Sequence, residues 1–388
     1  MKIIDVMTTQ VQIPFRKPAK WSGGTRRSAP ALIVQLVTDE GIIGIGECVG
    51  PTIPTIQTIV EKEFKPFLIG CDPMRTEWIL HRLEEYVLNW KQLGLYALAG
   101  IDIALLDLKA KILQTPLYNL LGGIYRRNVD FAGYLFIDEP LGNAKDAEEI
   151  VRQGHKEIKI KVGRDIEFDT ARLREIRAAV GPDVKLRIDV NQNWSVSTAI
   201  KAINKMEKYD LQLVEQPTPY YDIDGLAQVS KSVSVPITAD ESCTDFESAM
   251  RLIDKRAVAA FTVYPSEAGG LLKAKQIINL ANENGIWCVT GSWAETGIAT
   301  MANVHLIASS RNFPFANDTH YDYYAGDVLS SHLSFMNGQI VVPDQPGLGV
   351  EIGEERLNAV SKEEVREMVF YDSQQQEDEF IPRIGNLL

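Results

Sequence analysis

The pattern of apolar and polar residues changes near residue 128. Before that point, residues 2–13 and 31–49 alternate between the two kinds, as strands with one buried face do. The second stretch is interrupted at Asp39-Glu40-Gly41, a turn sequence that predicts a hairpin. Residues 15–30 contain two prolines and a Gly-Gly pair, and they predict a loop between the strands.

Helical periodicity follows at about residues 54–68, 75–91 and 95–113. Residues 1–127 are therefore predicted to form an α+β unit. A C-terminal segment, from about residue 360 to 388, has one helical stretch and a charged end. We expect that segment to pack back on the N-terminal unit and complete it.

Residues 128–359 alternate instead between short apolar strands and amphipathic helical stretches, such as 169–181, 195–209 and 270–285. Eight strand-like segments recur at intervals of 24 to 28 residues, the length of a strand, a turn, a helix and another turn. A doubly wound open sheet also alternates in this way, but eight near-equal units favour a closed parallel barrel. The residues that end the eight segments are Tyr134, Lys161, Asp189, Glu215, Asp240, Tyr264, Gly291 and Asp318.

Composition narrows the class of protein. The formal charge is −12, which argues against broad binding to nucleic acid or anionic membranes. Four cysteines without CxxC spacing are typical of reduced thiols, and the N-terminus lacks a signal-peptide core, so we expect a cytoplasmic protein. The most apolar helical stretch, 96–113, is too charged and too short to span a membrane.

Acidic residues end three consecutive segments of the predicted barrel. Asp189, Glu215 and Asp240 would converge because neighbouring strands lie about 4.8 Å apart. A divalent cation would remove their mutual repulsion, and carboxylate oxygens suit Mg²⁺, with Mn²⁺ as a substitute. The alternative is that some of them cap the following helices, as Asp often does. Three acids at matching positions favour the metal site.

Two lysines lie on the strand before this acidic set. Lys159 and Lys161 alternate with isoleucines, so both side chains point the same way. On an isolated strand they would be solvated, but a barrel strand has no solvated face. Two neighbouring ammonium groups disfavour each other, and burial acts in the same direction. We therefore expect Lys161 to be uncharged and to act as a general base, with Lys159 as the deeper neighbour that tunes it.

A cation beside an amine base indicates proton abstraction from the carbon next to a carboxylate. Several segments then resemble, in order and spacing, the mandelate racemase/muconate lactonizing enzyme group of the enolase superfamily. These segments are GIGEC, AGIDIALLDLKAKILQTPLYNLLGG, KIKVG, RIDVNQNW, LVEQP, ITADES, AGG, GSWAETGIAT and VVPDQPGLGV.

The resemblance implies an α/β fold: a (β/α)₇β TIM-like barrel under an N-terminal α+β capping domain, with a homo-oligomer as the family expectation. It implies Mg²⁺ on the three acids, Lys161 as the base and Lys159 in support. Asn191 resembles the family's polar group near the substrate, and Glu295 matches an acidic position of the muconate-type enzymes. Trp21 lies in a loop that matches a substrate-selecting cap loop, where it either contacts substrate or packs.

The chain departs from the family where a second base is expected. Tyr264 stands in place of the second lysine of muconate-type and epimerase relatives, and Gly291 in place of the histidine of mandelate-racemase relatives. One-base elimination or cycloisomerisation of a small carboxylic acid therefore fits best, with Lys161 acting alone; in a racemase, Tyr264 would be the opposing acid. The alternative is a racemase or epimerase of an amino-acid-type or hydroxy-acid substrate. Asp318 and His320 are expected near the distal part of the substrate, unless His320 is structural.

The same residues are also compatible with two other classes of protein. A Schiff-base aldolase would use Lys161 as a nucleophile on a similar barrel and would work without a metal. A relative that binds an acid without turning it over would also fit the missing second base.

Overall fold

The computed structural model describes residues 1–87 and 89–361. The predicted helix and packing of the segment after residue 361 lie outside the described residues. None of the described helices combines the length and apolarity that crossing a membrane requires.

The N-terminal unit begins with an antiparallel sheet of β1 (Ile3–Trp21), β2 (Gly24–Thr38) and β3 (Ile43–Cys48), in that order. The predicted loop over residues 15–30 is wrong, because β1 and β2 continue as a hairpin to its tip, where Trp21 pairs with Gly24. A register irregularity between Pro14 and Ala19 accommodates Pro18, since a bulge does not need the missing N–H. The hairpin therefore reaches beyond the sheet as a twisted arm.

Helical segments cover this sheet and agree with the three predicted stretches. Their bounds are Ile53–Thr58, a π-helical turn Ile59–Phe64, Lys65–Leu68, Thr76–Val87, Gln92–Ile112 and Leu117–Leu120. The long helix packs closely on β3, where a Cβ atom at Gly46 would collide with the carbonyl oxygen of Gly100. Glycine at position 46 thus permits the contact between helix and sheet.

The second unit is built on seven parallel strands in sequential order. They are β5 (Gly133–Leu135), β6 (Glu157–Lys161), β7 (Lys185–Asp189), β8 (Leu211–Glu215), β9 (Ile237–Ala239), β10 (Ala260–Val263) and β11 (Trp287–Thr290). A short antiparallel pair, β4 (Asn128–Asp130) with β12 (Gln339–Val341), lies outside this sheet.

The eighth predicted strand is reduced to a single bridge that closes the barrel. Asn317 bridges to Phe131 next to β5, and the Asp318 N–H donates to the Thr290 carbonyl at the end of β11, 3.0 Å away. The helices around the barrel are Pro140–Arg152, Ile166–Val180, Val196–Met206, Ile223–Ser232, Phe246–Lys255, Pro265–Ala268, Leu271–Glu283 and Gly297–Ala308, with Glu354–Val360 after it. The predicted helices agree with these bounds to within a few residues.

Buried carboxylates join the capping unit to the barrel. Glu47 on β3 accepts hydrogen bonds from Thr296 N at 2.7 Å, Thr296 Oγ1 at 2.6 Å and Ala299 N at 2.9 Å, at the start of helix Gly297–Ala308. Asp102 accepts from Leu271 N at 2.6 Å, at the start of helix Leu271–Glu283. Both acids therefore satisfy free N–H groups at helix N-termini. Burial raises the pKa of Glu47 to about 8 and that of Asp102 to about 7.

Candidate active site

Three carboxylates meet at the carboxyl ends of adjacent barrel strands. Asp189 and Glu215 are the last residues of β7 and β8 and pair in register, while Asp240 directly follows β9. One oxygen of each lies within 4.8 Å of the others, and all three side chains are buried. The alternative that they cap helices is wrong, because the caps of the following helices are Ser195, Asp222 and Asp245.

The electrostatics of these carboxylates fit a divalent cation. Burial, together with the charge of Asp189, raises the pKa of Glu215 to about 7, and burial with Glu241 raises that of Asp240. Burial also acts on Asp189, but Lys159 and Lys161 hold its pKa below the ordinary value. Oxygen donors this close repel one another, and a divalent cation such as Mg²⁺ would offset that repulsion.

Lys159 is an ion-pair centre inside the barrel. Its Nζ lies 2.6 Å from Glu215 Oε1, 2.6 Å from Asp318 Oδ2 and 3.1 Å from Asp189 Oδ2. Burial opposes its charge, but the three carboxylates raise its pKa well above the ordinary value. The expectation that Lys159 tunes Lys161 through mutual repulsion finds no support in this arrangement, since three carboxylates surround the Lys159 ammonium.

Asp318 lies deeper inside the barrel than the expected position near the distal part of the substrate. Besides Lys159, it accepts from Arg187, whose Nη1 lies 3.2 Å from Glu157 Oε1. Asp318 is buried among these partners and is absent from the cavity wall. The expectation that it binds the distal part of a substrate is wrong, because its charge is already matched inside the barrel.

Lys161 instead faces a cavity of about 220 Å³ between the barrel mouth and the capping hairpin. Its Nζ donates to Asp189 Oδ2 at 2.6 Å and to Asn191 Oδ1 at 3.0 Å. Asn191 has a positive φ of 47°, in the left-handed region that Asn tolerates better than most residues. The amine is thus held beside the acidic set by two fixed partners.

Tyr264 lines the same cavity from the end of β10. Its hydroxyl donates to Asp240 Oδ2 at 3.1 Å, and burial with the charge of Asp240 raises its pKa well above the ordinary value. A phenol therefore stands four strands away from Lys161, at the position where the sequence resemblance implied a second base.

The capping hairpin supplies the other side of the cavity. Trp21 lines it together with Arg26, which sequence reasoning missed. The Arg26 guanidinium lies 5.9 Å from the ring centroid of Trp21 and 5.3 Å from that of Trp293, and it donates to the Trp293 carbonyl at 3.3 Å. The wrong loop prediction hid Arg26, since the pairing of Ala19 with Arg26 is visible only in the hairpin.

His320 and Glu295 are joined by a serine that the sequence did not single out. His320 lines the cavity, and its Nδ1 lies 2.8 Å from Ser292 Oγ. The Ser292 hydroxyl donates to Glu295 Oε2 at 2.5 Å, and Trp293 N donates to Glu295 Oε1 at 2.8 Å. Glu295 itself is buried away from the cavity wall, so it reaches the site only through Ser292.

Fold and site together define a capped-barrel enzyme with a carboxylate cluster and a lysine at the mouth. Family models confirm the class: residues 3–122 match the mandelate racemase/muconate lactonizing enzyme N-terminal domain, and residues 143–356 match the enolase C-terminal domain-like family. The chain belongs to the mandelate racemase/muconate lactonizing enzyme group of the enolase superfamily.

Individual relatives include both epimerases and cycloisomerases. The chain is 34% identical to L-Ala-D/L-Glu epimerase of Bacillus subtilis, over 90% of this chain and 97% of the relative. It is 30% identical to muconate cycloisomerase 1 of Rhodococcus opacus, over 91% of this chain and 96% of the relative. A solved dipeptide epimerase of Enterococcus faecalis, complexed with Mg and L-Leu-L-Tyr, is 35% identical with a TM-score of 0.85, over 90% and 99% of the two chains. These names support the epimerase alternative better than elimination or lactonisation.

Proposed function

We propose that this enzyme removes the proton next to the carboxylate of a small acid, with Lys161 as the base. One observation carries the proposal: among the described residues that line the cavity, Lys161 is the one amine, and it shares Asp189 with the carboxylate cluster. A divalent cation held by Asp189, Glu215 and Asp240 would supply positive charge for the substrate carboxylate as the proton leaves.

The chain's own groups prepare that step. Asp189 and Asn191 fix Nζ of Lys161 at the mouth of the barrel. Trp21 of the hairpin and Trp293 of the barrel both line the cavity and give its wall two apolar ring surfaces. Lys159 neutralises the deeper acids, so that their charge does not trap the proton on Lys161.

We favour elimination or cycloisomerisation with one base, because among the described residues the wall opposite Lys161 carries the phenol of Tyr264 and no amine. In an elimination, Lys161 takes the α-proton, and the electron pair of that bond becomes the new double bond. The bond from the β-carbon to oxygen breaks, the oxygen keeps its pair, and the Lys161 ammonium returns the proton to release water.

The second candidate is racemisation or epimerisation, which the names of the relatives favour. Tyr264 would then protonate the face opposite Lys161, and it would have to accept a proton in the reverse direction. A phenol with an ordinary pKa near 10 suits the first task better than the second.

The test is an incubation in D₂O with Mg²⁺ and a panel of hydroxy acids, amino acids and dipeptides, followed by ¹H NMR. Loss of the α-proton signal, absent in Lys161→Met, supports the proposal. Formation of an unsaturated or cyclic product identifies the one-base reaction, and return of both stereoisomers identifies the epimerase. Activity that survives EDTA and is trapped by borohydride would contradict it, because that is Schiff-base chemistry. Bound Mg²⁺ without any exchange across the panel would also contradict it.

A further inference from the structure

The contacts of Ser292 determine which nitrogen of His320 carries the proton. A serine hydroxyl has one hydrogen to donate, and here it goes to Glu295 Oε2 at 2.5 Å. Ser292 Oγ also accepts from Ala294 N at 3.2 Å. The Nδ1 of His320, 2.8 Å from the same oxygen, must then be a donor. The neutral ring consequently carries its hydrogen on Nδ1 and a bare lone pair on Nε2.

The ring of His320 is also fixed in orientation. It stacks on Phe136, with ring centroids 5.7 Å apart and an interplanar angle of 26°, and it contacts Tyr134 at 4.7 Å. Among the described residues, no hydrogen-bond partner is found for Nε2, although the side chain lines the cavity beside Lys161. The lone pair is therefore the part of the imidazole left for a ligand.

Nearby charges keep this imidazole neutral. Burial lowers the pKa of His320 well below its ordinary value, and the positive charges of Lys161 and Arg26 act in the same direction. The same cations would repel an ammonium group placed against the ring. A substrate group that meets His320 would thus be an uncharged donor, and a hydroxyl is the simplest one.

We propose that Glu295 and Ser292 hold His320 as a hydrogen-bond acceptor that selects acids carrying a hydroxyl group beyond the reacting carbon. This deepens the proposed function and rests on it, because the hydroxyl would be the group that leaves in the elimination. By accepting the hydroxyl hydrogen, Nε2 turns the oxygen lone pairs toward Lys161, which returns the proton. His320 is then a specificity residue, while Ser292 and Glu295 are positioning residues.

The first test reads the tautomer directly by ¹⁵N NMR of the imidazole nitrogens, with the His320 signals assigned by comparison with His320→Phe. The chain has five histidines, which makes assignment practical. His305 is an internal reference of the opposite kind, since its Nδ1 accepts from Tyr118 N and its Nε2 contacts the Leu348 carbonyl. We expect hydrogen on Nδ1 of His320 and on Nε2 of His305. Hydrogen on Nε2 of His320 would overturn the proposal.

Glu295→Gln keeps the size of the side chain but replaces a carboxylate oxygen, which accepts hydrogen bonds, by an NH₂ group, which donates them. Trp293 N requires the amide oxygen, so the amide NH₂ faces Ser292 and donates to it. The serine hydroxyl is then free to donate to His320 Nδ1, and the hydrogen moves to Nε2. We expect the His320 signals to invert in Glu295→Gln while those of His305 stay unchanged. An unchanged His320 tautomer in this variant would show that Glu295 and Ser292 do not determine which nitrogen carries the hydrogen, and would overturn their positioning role.

The second test uses 3-hydroxybutyrate and butyrate as probes, in the presence of Mg²⁺, with binding measured by calorimetry. One hydrogen bond to Nε2 corresponds to about tenfold in affinity. We expect 3-hydroxybutyrate to bind about tenfold tighter than butyrate, to shift the Nε2 signal, and to lose its advantage in His320→Phe. Equal binding of the two acids, or binding of neither, would overturn the selection. Since the tautomer is measured without turnover, it holds or fails independently of α-proton exchange.

Discussion

The ring of Tyr264 occupies the space in which a side chain at Gly291 would lie. A Cβ atom at Gly291 would collide with Cζ and both Cε atoms of that ring. Positions 264 and 291 are thus coupled in this chain. Glycine on β11 leaves room for the phenol on β10, and the phenol reaches Asp240 because of it.

Gly291→Ala should therefore expel the Tyr264 ring. Overpacking of this kind costs about 1–3 kcal/mol, and the hydrogen bond to Asp240 is lost with the movement. Urea unfolding measures the cost. In a Tyr264→Ala background the same change should cost little, because the obstructing ring is gone. An equal cost in both backgrounds would show that the coupling does not exist.

The two lysines should differ in what they stabilise. Lys159→Met leaves the buried carboxylate of Glu215 without its Lys159 partner and leaves Asp318 with Arg187 alone, and breaking such a buried pair costs about 3–5 kcal/mol. Lys161→Met leaves Asp189 paired with Lys159, so it should unfold at nearly the urea concentration of the parent protein. It should nevertheless slow α-proton exchange about 10²–10⁴-fold, the usual contribution of a general base. A large loss of stability in Lys161→Met would contradict this division of roles.

Asp240→Asn should weaken Mg²⁺ binding about tenfold or more, because it removes one anionic oxygen donor from the cluster. For the parent protein, Mg²⁺ at one hundred times its dissociation constant should raise the free energy of unfolding by about 2.7 kcal/mol. Calorimetric titration and thermal unfolding measure both effects. Asp183→Asn, at an exposed position, is the control and should bind Mg²⁺ as the parent does. The same Mg²⁺ affinity in Asp240→Asn and the parent would remove Asp240 from the metal site.

His305 should make the protein sensitive to acid. Burial lowers its pKa to about 4, and its neutral form accepts from Tyr118 N and contacts the Leu348 carbonyl. Since the unfolded chain binds the proton near pH 6.5, stability is lost as the pH falls from about 6.5 to about 4. The gap corresponds to about 3 kcal/mol.

His305→Gln can keep both hydrogen bonds without a titrating group, so it should flatten this part of the stability curve. Urea unfolding between pH 4 and 7.5 measures the slope. His81→Gln, on an exposed helix face, is the control and should leave the slope unchanged. An identical slope in His305→Gln and the parent would assign the acid sensitivity elsewhere.

The regular recurrence of strand-like segments along the chain predicted the barrel and the acidic cluster, because each repeat of a strand and a helix can be recognised from its own residues. Asp189, Glu215 and Asp240 end equivalent strands, and parallel strand ends meet at one edge. The partners of Lys159 could not be predicted in that way, since Asp318 reaches it across the closed barrel. Arg26 and Ser292 were missed for a related reason: each acts through a contact made only after distant segments meet, at Trp293 and at His320.

The acids that join the capping unit to the barrel have a consequence for engineering. Glu47 and Asp102 each belong to one unit and complete a helix of the other. Exchanging the cap for that of a relative, to import a new specificity, would leave N–H groups of the barrel helices without acceptors unless the imported cap carries acids at the positions of Glu47 and Asp102. A chimaera should therefore keep an acid at both positions, and its two units should then unfold together in one cooperative transition.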